Sequence, residues 1–259
     1  MTKTIALLGA TGKVGGWILD EAMRKKIKTR ALVRKPDAIG EYIKDNPELL
    51  VAVKGSSTDK QALKELINGV VVVICALGSP NHSTLVMKSS AEALVSVLES
   101  DDLECSPRVI WISTIGVNEA TSQARKYGVS ASCCPSCSLC CGYGLFGCML
   151  FSCIIPGIVG KNLWADMGYA EDVIRKSSVA SRTVLVRPTN MEPAESHRAF
   201  TKEWKEEGEK YGNEAYLTRT ADDPPPNMWI TRKAIAAFFL DCVDDEQYDG
   251  KAVSLFQGP

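Results

Sequence analysis

Ile5-Ala6-Leu7-Leu8-Gly9-Ala10-Thr11-Gly12-Lys13-Val14-Gly15-Gly16, followed at once by Trp17-Ile18-Leu19, decides the fold. Four apolar residues in a row read as a strand buried on both faces, and the glycines after them as a tight turn into a helix. Gly9 can take the positive φ that a sharp strand-to-helix turn needs, Gly12 lets the backbone approach a ligand, and Gly15 lets the first helical turn press against the strand. Such a turn presents unpaired N–H groups at the positive end of a helix dipole, so its natural ligand is a pyrophosphate. Glycines alone would also fit a plain turn. What gives them weight is the strand before and the helix after. Gly9, Thr11, Gly12, Lys13, Val14 and Gly15 are therefore the first candidate cofactor-binding residues.

The chain has 259 residues, 45% of them hydrophobic, which suffices to bury the core of one α/β domain. Its formal net charge is −1, with both signs spread along the chain, so there is no electrostatic footprint for nucleic acid or an anionic membrane. Met1-Thr2-Lys3-Thr4 runs straight into the first strand with no apolar signal segment, which makes a cytoplasmic location the expectation. The ten cysteines then read as thiols rather than disulfides.

Beyond the turn, Trp17 to Lys26 has the apolar spacing of a helix packed on a sheet. Arg30 to Val33 is a short strand that ends at Arg34-Lys35-Pro36. In a dinucleotide fold an acidic residue at this strand end receives a free ribose 2′-hydroxyl, and a basic one suits a 2′-phosphate. Arg34 and Lys35, with no carboxylate beside them, predict NADP, with a preference of roughly ten- to hundredfold from one charge-assisted contact. The competing reading is a solvated basic strand end. Leu49 to Val53 is the third strand, Asp59 caps the helix after it, and Ser56 and Ser57 are placed to touch adenine. Val70 to Ala76, continuously apolar, is a central strand that breaks at Leu77-Gly78-Ser79-Pro80, where Leu77 and Gly78 would face the nucleotide. His82 reads as a cap or loop residue rather than a catalyst. A helix over Leu85 to Leu98 leads to the strand Val109 to Ile112.

That strand ends at Ser113-Thr114, and hydroxyls at a strand's carboxyl end face the nicotinamide in this architecture. Ser113 and Thr114 are the candidate catalytic residues. The competing reading of Ser113 is a serine that caps the turn. A helix over Tyr169 to Lys176, a strand over Val184 to Pro188, a helix opening at Ile230-Thr231-Arg232-Lys233 and a strand over Ala252 to Leu255 complete the alternation. The pattern is a doubly wound parallel sheet, with Pro188 flanking the nicotinamide and a small C-terminal substrate-side lobe.

With these pieces in order the chain resembles the atypical short-chain dehydrogenases of the NmrA-like, NAD(P)H-binding group. Gly9 to Gly15, Arg34, Ser113 to Gly116, Arg187-Pro188-Thr189, and Ile230-Thr231-Arg232 through Tyr248-Asp249-Gly250-Lys251 carry the resemblance over nearly the whole length. Within the group it looks most like the biliverdin IXβ and flavin reductases, on Ala76 to Asn81 with Val86-Met87 and on Glu246 to Gly250. It is also similar to fungal averufin-oxidase-like proteins of aromatic polyketide pathways. The resemblance implies hydride delivery from NADPH to a flat conjugated small molecule: a flavin, a tetrapyrrole or a quinone-like aromatic.

The sequence departs from the wider superfamily at the Tyr-x-x-x-Lys dyad. Aligned on Glu171, Trp164 and Gly168 stand where the tyrosine and lysine would be, and Tyr127, Tyr143 and Tyr169 have Ala131, Gly147 and Val173 four residues on. A phenol acid tuned by lysine is thus not expected. Flavin or biliverdin reduction can do without it, since the protein chiefly holds the nicotinamide against a planar acceptor and the proton can come from water or a hydroxyl. The alternative is a non-catalytic NADP(H)-sensing regulator that acts through a protein partner.

From Tyr127 to Gly160 no residue is charged, and seven cysteines fall between Cys133 and Cys153. Four readings fit this stretch. It can be the apolar lid or wall of the substrate pocket, with residues 127–165 as an insertion in a 1–259 domain and the cysteines as small hydrophobes. Cys134, Cys137 and Cys140 have metal-ligand spacing, but no histidine lies near and the fourth ferredoxin-type position falls on Gly144, so no metal is assigned. Palmitoylation or membrane contact through 133–153 is opposed by Pro135, Pro156 and several glycines. A Cys134–Cys137 redox pair is the fourth.

Overall fold

The strand expected before the glycines is β1, Thr4–Leu8, and its Ile5, Ala6, Leu7 and Leu8 are wholly buried, as a strand covered on both faces requires. The computed structural model describes residues 3–79, 85–101, 103, 105–114, 117, 161–191, 216–219 and 229–258. His82 and residues 127–160 therefore lie outside the described residues, and residues 161–165 form the start of a helix.

The helices are α1 (Lys13–Arg24), α2 (Gly40–Asp45), α3 (Lys60–Ile67), α4 (Met87–Leu98), α5 (Lys161–Arg175) and α6 (Arg232–Asp241). The further strands are β2 (Lys28–Val33), β3 (Leu50–Lys54), β4 (Val72–Cys75), β5 (Arg108–Ile112), β6 (Thr183–Pro188), β7 (Asn190–Met191), β8 (Tyr216–Arg219), β9 (Trp229–Ile230) and β10 (Ala252–Gln257). One sheet runs in the order β3-β2-β1-β4-β5-β6-β10-β8. Its neighbours are parallel from β3 to β10, and β8 runs antiparallel on the edge.

The expected doubly wound sheet is present. The sequence reading did not foresee the antiparallel edge strand β8 or the small parallel pair β7–β9, both of which flank the long stretches that lack an apolar period. The helix expected over 169–176 begins eight residues earlier, at Lys161.

The order reverses at β1 and β4, where the chain winds one way through β2 and β3 and the other way through β5 and β6. Helix α1 packs against α6, whereas α4 packs against α3 and α5, so the sheet is covered on both faces. Central β4 is buried at every position, whereas edge strand β3 is buried only at Leu50 and Val53. Asp59 caps where the sequence places it, accepting the N–H groups of Gln61 and Ala62 at 3.0 and 3.2 Å, and at the start of α6 Thr231 Oγ1 accepts the N–H of Ala234 at 3.1 Å.

At the opposite end of the sheet from the glycine turn, Arg108 at the start of β5 holds the C-terminal turn. Its guanidinium meets Asp249 at 2.6 Å and donates to the carbonyls of Cys242 and Asp245. That end is fixed, and the carboxyl end of the sheet is left for the site.

Candidate functional site

Gly9 follows β1 with φ +86°, the left-handed conformation the turn demands. A β-carbon there would lie 2.6 Å from the carbonyl oxygen of Ala76, just past β4, so the ends of β1 and β4 converge at the point where the sheet order reverses. Gly15 is still more constrained. Its β-carbon would lie 1.9 Å from the Gly9 carbonyl oxygen, which confirms that the helix presses on the turn. At Gly12 the nearest atom to such a carbon is again the Gly9 oxygen, at 3.1 Å, so this glycine serves the turn's own packing as well as any ligand.

Gly12 is the N-cap of α1, and no side chain caps it. No acidic residue stands in the first turn, and the Gly12 N–H is spent on Gly9 at 2.8 Å. The helix start thus keeps its N–H groups and its positive dipole end turned toward the crevice, with Thr11 and Lys13 exposed beside it and Val14 buried beneath. Burial, and secondarily the charge of Arg232, pull the Lys13 ammonium below its ordinary pKa.

On the adenosine side Leu8 pairs with Leu32, which sets Arg34 level with Ala10 of the turn, one strand away. Arg34 and Lys35 are both exposed there. Ser56 is half-buried, with its hydroxyl 3.1 Å from that of Thr58. Ser57, the other residue expected near adenine, accepts a hydrogen bond from Ser90 at 2.7 Å, which ties the β3–α3 turn to α4. Leu77 is half-buried. Gly78 is exposed, and a β-carbon on it would meet nothing within 4 Å.

On the other side of the switch point, Ile112 pairs with Val186, so Ser113 stands level with Arg187 and Thr114 with Pro188. The Ser113 N–H donates to Val186 at 2.7 Å. Ser113 is 3% exposed, and its Oγ has no hydrogen-bond partner among the described residues. A serine that merely capped the turn would have one. A buried hydroxyl is normally satisfied by a protein group, an ordered water or a ligand, and none of the described residues satisfies that of Ser113.

Two carboxylates near this end could not be found from local sequence. Glu171 of α5 is fully buried, and it accepts both nitrogens of a bidentate pair from Arg187, Nε at 2.9 Å and Nη2 at 2.7 Å. The pair locks α5 to β6 beside Ser113. Asp166, 5% exposed, accepts the N–H groups of Met87 and Lys88 at 2.9 and 3.1 Å and so caps α4 from another helix. The sequence reading put only Glu171 on a helix, since the one expected over 169–176 left Asp166 outside it. The partners are 16 and some 79 residues away. Trp164 and Gly168, at the dyad positions, are both on α5, the tryptophan half-buried.

The model of the NAD(P)H-binding family matches residues 9–131. No curated protein matches the chain. Among solved structures, a Streptococcus pneumoniae protein assigned as an NADH-flavin reductase superposes with a TM-score of 0.67 at 15% identity, over 99% of this chain and 100% of that one. An anaerobillin reductase from Escherichia coli O157:H7 gives 0.66 at 13% identity, over 98% and 97%. A short-chain dehydrogenase/reductase from Veillonella parvula, solved in complex with NADP, gives 0.64 at 15% identity, over 99% and 95%. At these identities the likeness is one of fold. No helix among the described residues is long and apolar enough to cross a membrane. The resemblance drawn from the sequence is borne out at the level of the NAD(P)H-binding family's match over residues 9–131 and of a Rossmann fold shared with these solved structures along the chain.

Proposed function

We propose that this chain is an NADPH-dependent oxidoreductase that passes hydride to a flat conjugated acceptor, a flavin, a tetrapyrrole or a quinone-like aromatic. The observation that carries this reading is the buried Ser113 hydroxyl, unpartnered among the described residues, level with Arg187 beside Pro188 on the neighbouring strand and across the switch point from the glycine turn. NADPH, when bound, supplies the hydride.

The residues present fit that group. The α1 start and Lys13 receive the pyrophosphate, Arg34 and Lys35 the 2′-phosphate, and Ser56, Leu77 and Gly78 line the adenosine side. Ser113 and Thr114, with Pro188, border the nicotinamide end, where the Ser113 Oγ–H is free to donate to a heteroatom of the acceptor as charge develops on it. With Trp164 and Gly168 at the dyad positions, α5 offers no tyrosine–lysine acid there. The chemistry this arrangement suits is hydride transfer to an acceptor that delocalises its own charge and takes its proton from water or a hydroxyl. The reductase neighbours among the solved structures support the same acceptor class.

Steady-state oxidation of NADPH against FMN, biliverdin and a panel of small quinones tests the reading. Turnover with at least one of them, lost in Arg34→Ala at low NADPH, supports it. Saturable NADPH binding with no turnover on any acceptor favours the sensing regulator instead.

A further inference from the structure

We infer that one internal water binds between Trp111 Nε1 and Ser113 Oγ, and that through it Trp111 is a positioning residue for the Ser113 hydroxyl. The water site follows from the packing alone, whereas the role given to Trp111 rests on the hydride-transfer reading above.

Trp111 lies on β5 and Ser113 directly follows that strand, so at two residues' spacing both project from the same face of the sheet. Trp111 pairs with Cys75 of β4 and Leu185 of β6, and Ser113 stands level with Arg187. Because Arg187 meets Glu171, this is the face that α5 covers. Trp111 is 0% and Ser113 3% exposed, and neither Trp111 Nε1 nor Ser113 Oγ has a hydrogen-bond partner among the described residues. The polar groups that share the face are engaged elsewhere. Glu171 holds Arg187 through both carboxylate oxygens, and Thr183 Oγ1 donates to the Val179 carbonyl at 2.8 Å.

The two atoms are chemically complementary to a single small molecule. An indole N–H only donates, whereas a serine hydroxyl donates once and accepts twice. One water that accepts from the first and donates to the second satisfies both. The spacing suits it: residues two apart on a strand are about 6.6 Å apart at their α-carbons, and two hydrogen bonds of about 2.9 Å through a shared water span roughly 5 Å. Trp111 also lies back from the end of β5, inside the core, where a dinucleotide or acceptor resting on the carboxyl edge of the sheet does not reach it.

The indole fixes the direction of the chain. Since Nε1 cannot accept, the water takes its hydrogen bond from Trp111 and gives one of its own to Ser113 Oγ. The Ser113 hydrogen is then left to point away from the water, toward the edge where the acceptor would lie. Without the indole N–H the water can turn and accept from Ser113 instead, and the hydroxyl loses its orientation. No proton changes hands in this. Trp111 acts only on the direction and polarity of the Ser113 O–H bond.

A crystal structure of the wild-type chain, at a resolution that shows ordered water, tests the site. The expected result is one water within about 2.7–3.2 Å of both Trp111 Nε1 and Ser113 Oγ. A protein group bonded to either atom, or no water shared between them, overturns the inference. Trp111→Phe, which keeps an aromatic ring in the core and removes the N–H, tests the role. It is expected to lower kcat for acceptor reduction by about three- to tenfold with the KM for NADPH unchanged, and to cost nothing further in a Ser113→Ala background. Full kcat in Trp111→Phe, or an equal loss in the Ser113→Ala background, overturns the positioning role. A wild-type protein that turns over no acceptor sinks the hydride-transfer reading instead, and the crystal structure still decides the water site.

Discussion

The α-carbon of Gly15 is pressed so closely on Gly9 that a β-carbon would stand 1.9 Å from the Gly9 carbonyl oxygen. That oxygen is backbone, belongs to a residue at φ +86°, and already accepts the Gly12 N–H, so it has nowhere to move. Gly15→Ala is expected to cost about 3 kcal/mol or more and to abolish dinucleotide binding, because relief requires tilting α1 away from the turn. Gly78→Ala, with nothing within 4 Å of the added carbon, should leave thermal stability unchanged. Paired thermal melts and NADP⁺ titrations check both.

Arg34 and Lys35 are exposed at the end of β2 and take no part in the core. Arg34→Ala should leave the melting temperature within a degree or so of wild type and lower the NADP-over-NAD preference by about tenfold, and the double alanine variant by more. The ratio of the two dissociation constants is the quantity to read. An unchanged ratio would return both side chains to the status of a solvated strand end.

The Glu171–Arg187 pair is buried on both sides, 0% and 3% exposed. Glu171→Gln takes the carboxylate charge away from a buried guanidinium and should destabilise by about 3 kcal/mol in urea unfolding. Glu171→Leu with Arg187→Met removes both charges and should recover most of that loss, since a well-packed apolar replacement avoids the desolvation that either single change leaves uncompensated. Non-additivity of this kind is what identifies the pair as a unit.

Burial pushes the thiols of Cys75 and Cys242 up to about 12. Both should resist iodoacetamide at pH 8 until the protein is unfolded, whereas the half-exposed Cys105 labels before either of them. The linkage has a definite sign. The unfolded chain releases these protons near pH 9 while the native state keeps them to about 12. Their contribution is therefore complete below pH 9 and falls as pH rises from about 9 toward 12, by up to ~1.4 kcal/mol per unit for each thiol. Urea midpoints across that range measure it.

What could be read from the residues and what could not divides along physical lines. The glycine turn, β1, β4, the Asp59 cap and the apolar face of α6 are local: each is set by a period, a cap or a φ that a few adjacent residues determine. The edge strand β8 and the pair β7–β9 are short and lean on distant partners, with Leu217 exposed beside half-buried Tyr216 and Thr218, and no periodicity announces them. Asp166 is likewise invisible in its own helix, because what makes it matter is the α4 start it caps across about 80 residues. Ser113 was legible as a position at a strand end. That its hydroxyl is buried and lacks a partner among the described residues emerges only from the packing of β5 against β6.

The most direct test of hydride delivery at the Ser113 site is a single turnover. NADPH-loaded protein is mixed anaerobically with the preferred acceptor, and the nicotinamide absorbance is followed alongside the acceptor's own. The account predicts that one equivalent of NADPH is consumed for each two-electron acceptor reduced, with the rate lowered in Ser113→Ala while NADPH affinity holds. Bound NADPH that stays unchanged against every acceptor would contradict it.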